Sequence, residues 1–279
     1  ALLNLHSTPA FVMQANAVLL VVIFVVMIAS NSLSRRKVFG GKEIKDVSNA
    51  NPTYLTPDGK TFAVWGLIYL MELVMVIAQL FPSDATEEIF ARKCPVTGLD
   101  VRERLMLAFL IVAGWLPLFI NEYFLVALVV IVAYLGFLIS AYTDLAPKTL
   151  SSVEQVILFS VGVSLNTSWA LVATLIQFLQ YAGTLGWKTN AVAGNVPVAC
   201  GAVVFVGYLG CVQAFLGHDF AWAFVVAWAC FGIRRMHTVA EQARFPVKAM
   251  NATLGSIATY TACAVILVMG ASAVTLVVA

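Results

Sequence analysis

The stretch TPDGKTFAVWGLIYL, residues 56–70, joins a polar turn directly to an apolar helix. Its first four residues, TPDG, are typical of turns and helix caps. Phe62, Trp65 and Tyr69 follow at i, i+3 and i+7, so their rings share one helix face. Two interpretations stay open: the rings line a pocket beneath the turn, or they form an interfacial aromatic belt on an ordinary membrane-spanning helix.

The composition places the whole chain in a membrane. It has 279 residues, of which 61% are hydrophobic and 11% charged, and its mean hydropathy is +0.94. Such a chain cannot present a normal soluble surface. Its apolar runs are long enough for helices and lack the alternation of a transmembrane barrel. The sequence therefore predicts an all-α, multi-pass integral membrane protein, and its net charge of +2 gives no reason to expect a nucleic-acid partner.

The hydrophobic runs predict eight membrane-spanning helices. Very short connections, 121–122 and 217–218, separate the third from the fourth span and the sixth from the seventh. The predicted spans are residues 10–30, 61–81, 104–120, 123–143, 153–180, 197–216, 219–233 and 254–278.

The basic residues are distributed unevenly between the two sides that this topology implies. The first, fifth and seventh loops share one side, and we expect that side to be cytoplasmic, stromal or matrix. The termini then lie opposite. The more basic side carries Arg35, Arg36, Lys37, Lys42, Lys45, Lys60, Lys188, Arg234, Arg235, Arg244 and Lys248, and the other carries Arg92, Lys93, Arg102, Arg104 and Lys148.

The fifth predicted span carries a second seam of functional groups. Asn166, Trp169, Ala173 and Gln177 fall on one helix face, where a small residue lets a flat ligand or another helix come close. The two amides either bind a ligand or pair with neighbouring helices. Glu72, on the same face as the first aromatic seam, likewise either serves a polar pocket or holds two helices together.

No catalytic constellation is recognisable in the sequence. The three histidines, His6, His218 and His237, are far apart, so a His-based metal site is not expected. Phosphate-loop, nucleophile-elbow and zinc-protease motifs are missing from the sequence. We therefore expect a protein that is not an enzyme, with no catalytic and no metal-binding residues.

The two seams resemble motifs of the tryptophan-rich sensory protein family, which includes TspO and the mitochondrial translocator protein. LTPDGKTFAVWGLIYL (55–70) resembles the Pro-rich turn and Phe, Trp, Leu-Tyr signature that opens the family's second helix. SWALVATLIQ (168–177) is similar to the fifth-helix motif, with Trp169, Ala173 and Thr174 at matched positions. The motifs occur in the expected order, in the second and fifth predicted spans.

This resemblance implies a TspO-like core of five helices at residues 1–180, extended by about three further helices at 181–279. It also implies that a flat hydrophobic ligand, a porphyrin, sterol or other lipid, binds between the helices beneath the first loop (31–60). A basic loop there suits propionate groups. The resemblance assigns binding to Trp65, Tyr69, Trp169, Ala173 and Thr174, and spacing adds Phe62, Glu72, Asn166 and Gln177.

An alternative function is that of an accessory subunit in a larger photosynthetic or respiratory membrane complex. The family's Pro-Tyr is replaced by Leu165-Asn166 and its terminal Asn by Gln177, and the last span is rich in small residues that allow close helix packing. Chlorophyll, another tetrapyrrole or a carotenoid would then fill the grooves. Besides membrane lipids, other subunits or a second copy of the chain would be the partners. An ion-coupled transporter, suggested by Glu72 alone, is a third hypothesis.

Overall fold

The computed structural model describes residues 9–81, 83–238 and 245–278. Within these ranges the protein is a bundle of long helices with a single two-stranded hairpin. The helices are α1 (Pro9–Arg35), α2 (Ile44–Ala50), α3 (Val64–Ala78), α4 (Asp84–Phe90), α5 (Val101–Ile120), α6 (Phe124–Leu145), α7 (Val153–Gln155), α8 (Val161–Thr184), α9 (Val196–Leu216), α10 (Phe220–Thr238) and α11 (Ala252–Val278).

Several short elements join or extend these helices. A π-helical segment, Val156–Ser160, joins α7 to α8, and the strands β1 (Lys188–Thr189) and β2 (Val192–Ala193) form an antiparallel hairpin before α9. The polar turn at the start of the second predicted span is a 3-10 turn, Gly59–Ala63, so α3 begins later than residue 61. Further 3-10 turns lie at Pro147–Thr149 and Val247–Ala249.

Seven helical segments of the described chain are long and apolar enough to cross a membrane. They confirm the all-α membrane class and fall within a few residues of seven predicted spans. They are Ala15–Arg35, Gly59–Ala78, Val101–Ile120, Phe124–Leu145, Val153–Thr184, Val196–Leu216 and Ala252–Leu276.

The predicted span at 219–233 corresponds to α10, which is not among those seven because its last turns are less apolar. It nevertheless runs from one end of the bundle to the other. Asp219, just before it, accepts a hydrogen bond from Ser164 near the start of α8, whereas His237 in its last turn contacts the Tyr54 carbonyl oxygen in the first loop at 2.9 Å. Eight helices therefore connect the two ends of the bundle within the described residues.

The bundle separates a packed interior from an apolar exterior, as a lipid environment requires. On α1, Leu20 and Met27 are buried while Val22 and Val25 are more than half exposed. On α6, Tyr134 is buried and Val129 is exposed. Apolar side chains on the outward faces have no unfavourable contact with lipid, so these stripes are expected of spanning helices.

Two of the basic residues that sequence analysis placed on the less basic side are buried ion-pair partners on α5. The Arg102 guanidinium donates to both carboxylate oxygens of Glu87, at 2.6 and 2.9 Å, and to the Gln79 side chain at 2.9 Å. Arg104 donates to Asp144 at 2.7 Å. Both arginines are at most 2% exposed, so they offer little free charge at that end.

The first-loop end, where residues 31–60 lie, also holds the hairpin and the last turns of α10. The loop backbone joins the hairpin directly: the Tyr54 amide donates to the Ala193 carbonyl at 3.3 Å, and the Ala193 amide donates to Pro52 at 3.0 Å. The sidedness of this end in the membrane stays a prediction. Arg244, counted with the seventh loop, lies outside the described residues.

Close backbone contact holds α3 against α8. A methyl group added at Gly162 would lie 2.9 Å from the backbone of Met71 and Glu72. At Gly136 on α6, by contrast, an added methyl group meets no atom within 4 Å. The two helical glycines therefore form a pair in which the buried position, Gly162, has no room for a side chain and the exposed position, Gly136, has room.

We predict that Gly162→Ala destabilises the protein by up to about 2 kcal/mol, because an overpacking cost of about 1–3 kcal/mol is offset by a helix-propensity gain of only about 1 kcal/mol. Gly136→Ala should keep that gain and raise the melting temperature. Thermal unfolding followed by circular dichroism in detergent measures both. Equal stabilisation by the two substitutions would contradict the close packing of α3 on α8.

Candidate functional site

A cavity of about 690 Å³ opens at the first-loop end of the bundle. Its walls come from α1, α3, α5 and α8, and α2 with the 56–60 turn covers it. Its volume lies within the range of roughly 300–1,000 Å³ that is typical of small-molecule sites. The cavity therefore forms where sequence analysis placed a ligand, between helices and beneath the first loop.

One wall of the cavity is an aromatic cluster that joins the two sequence seams. The Trp65 and Trp169 rings meet edge to face with centroids 6.2 Å apart, and Phe62 meets Trp169 edge to face at 5.7 Å. Tyr69 stacks on Trp65 at 5.3 Å. Trp169 is 1% exposed, so it anchors a wall whose other rings are only partly buried. Such a surface binds flat apolar molecules by stacking and by apolar burial.

A second wall, from α5, was not among the predicted site residues. Trp115 stacks on Phe119 with ring centroids 4.8 Å apart, and Val112 and Leu116 complete this surface. The spacing of Val112, Trp115, Leu116 and Phe119 is that of one helix face, so periodicity could have identified it. Without the positions of the other helices, however, the same apolar face is equally typical of ordinary core packing.

Residues from beyond position 180 also line the cavity. Met236 on α10 and Phe245 in the following segment contribute to its wall. Phe245 also meets the His237 ring edge to face, with centroids 5.1 Å apart. The cavity is therefore not built by residues 1–180 alone, and the helices after them take part in shaping it.

Six of the nine predicted binding residues lie in the cavity wall, and three do not. Thr174 turns away from the cavity, and its hydroxyl donates to the Ala170 carbonyl oxygen at 2.7 Å. Glu72 and Asn166 lie deeper between the helices. Whether any of the nine binds a ligand stays a prediction. The six in the wall are Phe62, Trp65, Tyr69, Trp169, Ala173 and Gln177.

Glu72 and Asn166 bond to each other instead of facing the cavity. The Asn166 amide donates to one carboxyl oxygen of Glu72 and accepts a hydrogen bond of 2.7 Å from the Tyr134 hydroxyl. This network joins α3, α6 and α8. Of the two interpretations that sequence analysis left open for Glu72, the geometry favours the one in which it holds helices together.

The turn above the aromatic wall is fastened to α10. Asp58 accepts hydrogen bonds from Arg235 at 2.7 and 3.0 Å and another from the Thr61 hydroxyl. The Trp228 indole donates to the Thr61 carbonyl oxygen at 2.8 Å. A methyl group at Gly232 would overlap Thr61, so only glycine allows this approach. We call Asp58, Thr61, Trp228, Gly232 and Arg235 the turn clamp.

The clamp favours the ionised form of Asp58. Burial alone would raise the pKa of this carboxyl, but the hydrogen bonds from Arg235 and Thr61, with the Arg235 charge, outweigh it and hold the pKa below its ordinary value. The side chain of Asp58 is 3% exposed and that of Arg235 33%. A carboxylate so engaged stabilises the fold above its ordinary pKa and loses that contribution on protonation.

The wall offers few groups that could coordinate a metal. Among the described residues that line the cavity none is His or Cys, and no group of three or more His, Cys, Asp or Glu residues in the described chain could hold a metal ion.

The fold and the cavity together define a multi-pass helical membrane protein with an aromatic-lined cavity at one end. The family described as TSPO-like protein matches residues 17–274. The chain belongs to this family, which confirms the resemblance drawn from its second and fifth spans. No curated protein and no solved structure matches the chain.

We predict that Asp58→Asn lowers the free energy of unfolding by about 2 kcal/mol at pH 7, because it leaves Arg235 without its partner in a partly exposed site. The difference from the parent should begin to narrow as the pH falls below about 4, where the Asp58 carboxyl of the unfolded parent becomes protonated, and should be lost as the pH falls through the lower pKa of the folded state. Thermal unfolding between pH 3 and pH 7 measures both effects.

Lys42→Gln is the control for Asp58→Asn. It removes one partner of the Lys42 and Glu122 pair, whose side chains are 51% and 36% exposed, and should change stability by less than about 1 kcal/mol. A pH-independent difference between Asp58→Asn and the parent would contradict the ionised clamp.

Proposed function

We propose that this protein is a non-enzymatic membrane receptor or carrier that binds a flat hydrophobic ligand, a porphyrin, sterol or other lipid, in the cavity beneath the first loop. The observation that carries the proposal is the meeting of the two sequence seams in one wall, where Trp65 and Trp169 lie edge to face. Membership of the TSPO-like family is consistent with this function.

The shape and chemistry of the cavity support a flat ligand. Ala173, on the same face as Trp169, is small and leaves space in front of the aromatic rings. Trp115 and Phe119, on α5, line the same cavity as a second aromatic surface. A planar molecule between these walls would bury both of its faces against apolar side chains, at a gain of about 25 cal/mol for each Å² of apolar surface.

A second candidate function is that of an accessory subunit in a photosynthetic or respiratory complex. The motif departures at Leu165-Asn166 and Gln177 favour it, as does α11, whose outward side chains Tyr260 and Leu267 are each 73% exposed. Lipid would cover such a face equally well, so particle size must distinguish the two. The test is purification from native membranes in mild detergent. A particle near the chain's 30.1 kDa, or twice that mass, would support the receptor or carrier, and a much larger pigmented particle would support the accessory subunit.

We predict that Ala173→Phe abolishes binding of protoporphyrin IX. Trp65→Ala should weaken that binding by about tenfold or more, a loss of at least about 1.4 kcal/mol in binding free energy. Phe at position 173 fills the space before the aromatic wall, and Ala at 65 removes a stacking surface. Binding to the purified protein in lipid nanodiscs is measured by the shift of the porphyrin absorption band, which does not depend on tryptophan emission.

Two control variants keep this experiment specific. Thr174→Val lies next to Ala173 but outside the wall, and Trp187→Ala removes a tryptophan that the cavity does not contain. Both should bind porphyrin as the parent does. Equal binding by the parent, Ala173→Phe and Trp65→Ala would place the ligand elsewhere and overturn the proposed site.

A further inference from the structure

The cavity contains a buried amide that has no partner. Gln177 is 1% exposed and lines the wall, yet neither its oxygen nor its nitrogen makes a hydrogen bond with any described residue. A buried polar group that is left without a hydrogen bond destabilises the folded protein. Unpaired groups of this kind call for an explanation, and a ligand that completes the hydrogen bonds is one.

Further unpartnered groups share this part of the cavity. Of the eight buried side-chain atoms that lack a partner within the described chain, five belong to residues of the cavity wall. Besides the two atoms of Gln177 they are Ser34 Oγ, Asn49 Nδ2 and Trp115 Nε1. Ser34 is in the last turn of α1 and Asn49 in α2, so the group lies toward the first-loop end. The buried polar atoms without hydrogen-bond partners are therefore concentrated where the first loop covers the cavity.

These groups offer more donors than acceptors. The Trp115 indole nitrogen and the amide nitrogens of Asn49 and Gln177 can only donate, the Gln177 oxygen can only accept, and the Ser34 hydroxyl can do either. The complementary ligand group is therefore rich in acceptors. A carboxylate, with two oxygens and no hydrogen to donate, meets that requirement.

Positive charge surrounds the same end of the cavity. Arg35, Lys45 and Lys60 line it and make no ion pair with any described residue. Two acidic residues, Glu43 and Asp58, also line it, but Asp58 is already engaged by Arg235. The three cations outnumber Glu43, so the net unpaired charge at this end is positive, which favours an anionic group over a neutral one.

We infer that the cavity selects amphipathic acids: the flat apolar body lies against the aromatic wall, and a carboxylate lies at the first-loop end. There Gln177, Asn49 and Trp115 donate hydrogen bonds, and the cations at positions 35, 45 and 60 attract the charge. This inference rests on the proposed function and adds the chemical class of its ligand.

The test compares each acid with a neutral counterpart of the same body. Protoporphyrin IX is compared with its dimethyl ester, and cholesteryl hemisuccinate with cholesterol, on the purified protein in nanodiscs of neutral phosphatidylcholine. We expect at least one acid to bind about tenfold or more tightly than its neutral counterpart, since hydrogen bonds to a charged group are among the stronger ones. The preference should shrink at high salt.

Variants test whether the preference for the acid over its neutral counterpart arises in the cavity. Gln177→Leu, and the double variant Lys45→Gln with Lys60→Gln, should each reduce acid binding several-fold and leave the neutral counterpart almost unchanged. The matched control is Lys188→Gln with Lys248→Gln, which removes two cations at the same end of the bundle but outside the cavity wall. It should keep the full preference.

The outcomes separate this inference from the function on which it rests. Equal affinity for acid and neutral forms, with Ala173→Phe still blocking both, overturns the inference and leaves the ligand-binding function standing. An equal loss in the control double variant also overturns it, because general surface charge then explains the preference. If no member of either pair binds, the proposed function fails and the inference with it.

Discussion

The ion pair between Asp58 and Arg235 fixes the turn on which the cavity depends. The turn leads into the 3-10 segment and then into α3, so its position sets where Phe62, Trp65 and Tyr69 point. Gly232 allows the turn to approach α10 so closely that a side chain there would collide with Thr61. The aromatic wall belongs to α3 and α8, but α10 holds the turn above it in place.

The lipid environment requires the other buried polar groups of the bundle to pair within the protein. Within a bilayer a buried donor or acceptor finds no water, so it must pair inside the protein. Most of those in the described residues do. Arg102 and Arg104 pair with carboxylates at one end, and Tyr142, Ser164 and the Trp222 amide satisfy Asp219 between α6, α8 and α10. Against this background the unpaired groups near Gln177 are an exception, and their location in a cavity gives them a physical explanation.

Periodicity and segment length sufficed to predict the membrane-spanning helices, but not the short helices α2 and α4 or the hairpin. Even the two tight connections were placed correctly, and they close through residues in the left-handed region, Glu122 with φ 62° and His218 with φ 51°. The main difference concerns α10, which connects the two ends of the bundle but is less apolar than the other seven spans. Its final turns carry Arg235 and His237, which bond to the first loop.

The site was predicted only in part, and the reason is physical. Spacing shows which residues share a helix face but not which faces meet. Asn166 lies on the same face as Trp169, yet one turn deeper it bonds with Glu72 instead of facing the cavity. Contacts between segments distant in sequence bring Trp115, Met236 and Phe245 to the same cavity. No local pattern reports those contacts.

Through the turn clamp, α10 holds the turn above the aromatic wall in the position that the cavity requires, and a double-mutant cycle tests this dependence most directly. Asp58→Asn, Arg235→Gln and the double variant are compared with the parent for melting temperature and for porphyrin affinity. Our account predicts that the double variant loses much less than the sum of the two single losses in both quantities, a coupling of about 1 kcal/mol or more. Additive losses in stability and unchanged ligand affinity in all three variants would contradict it.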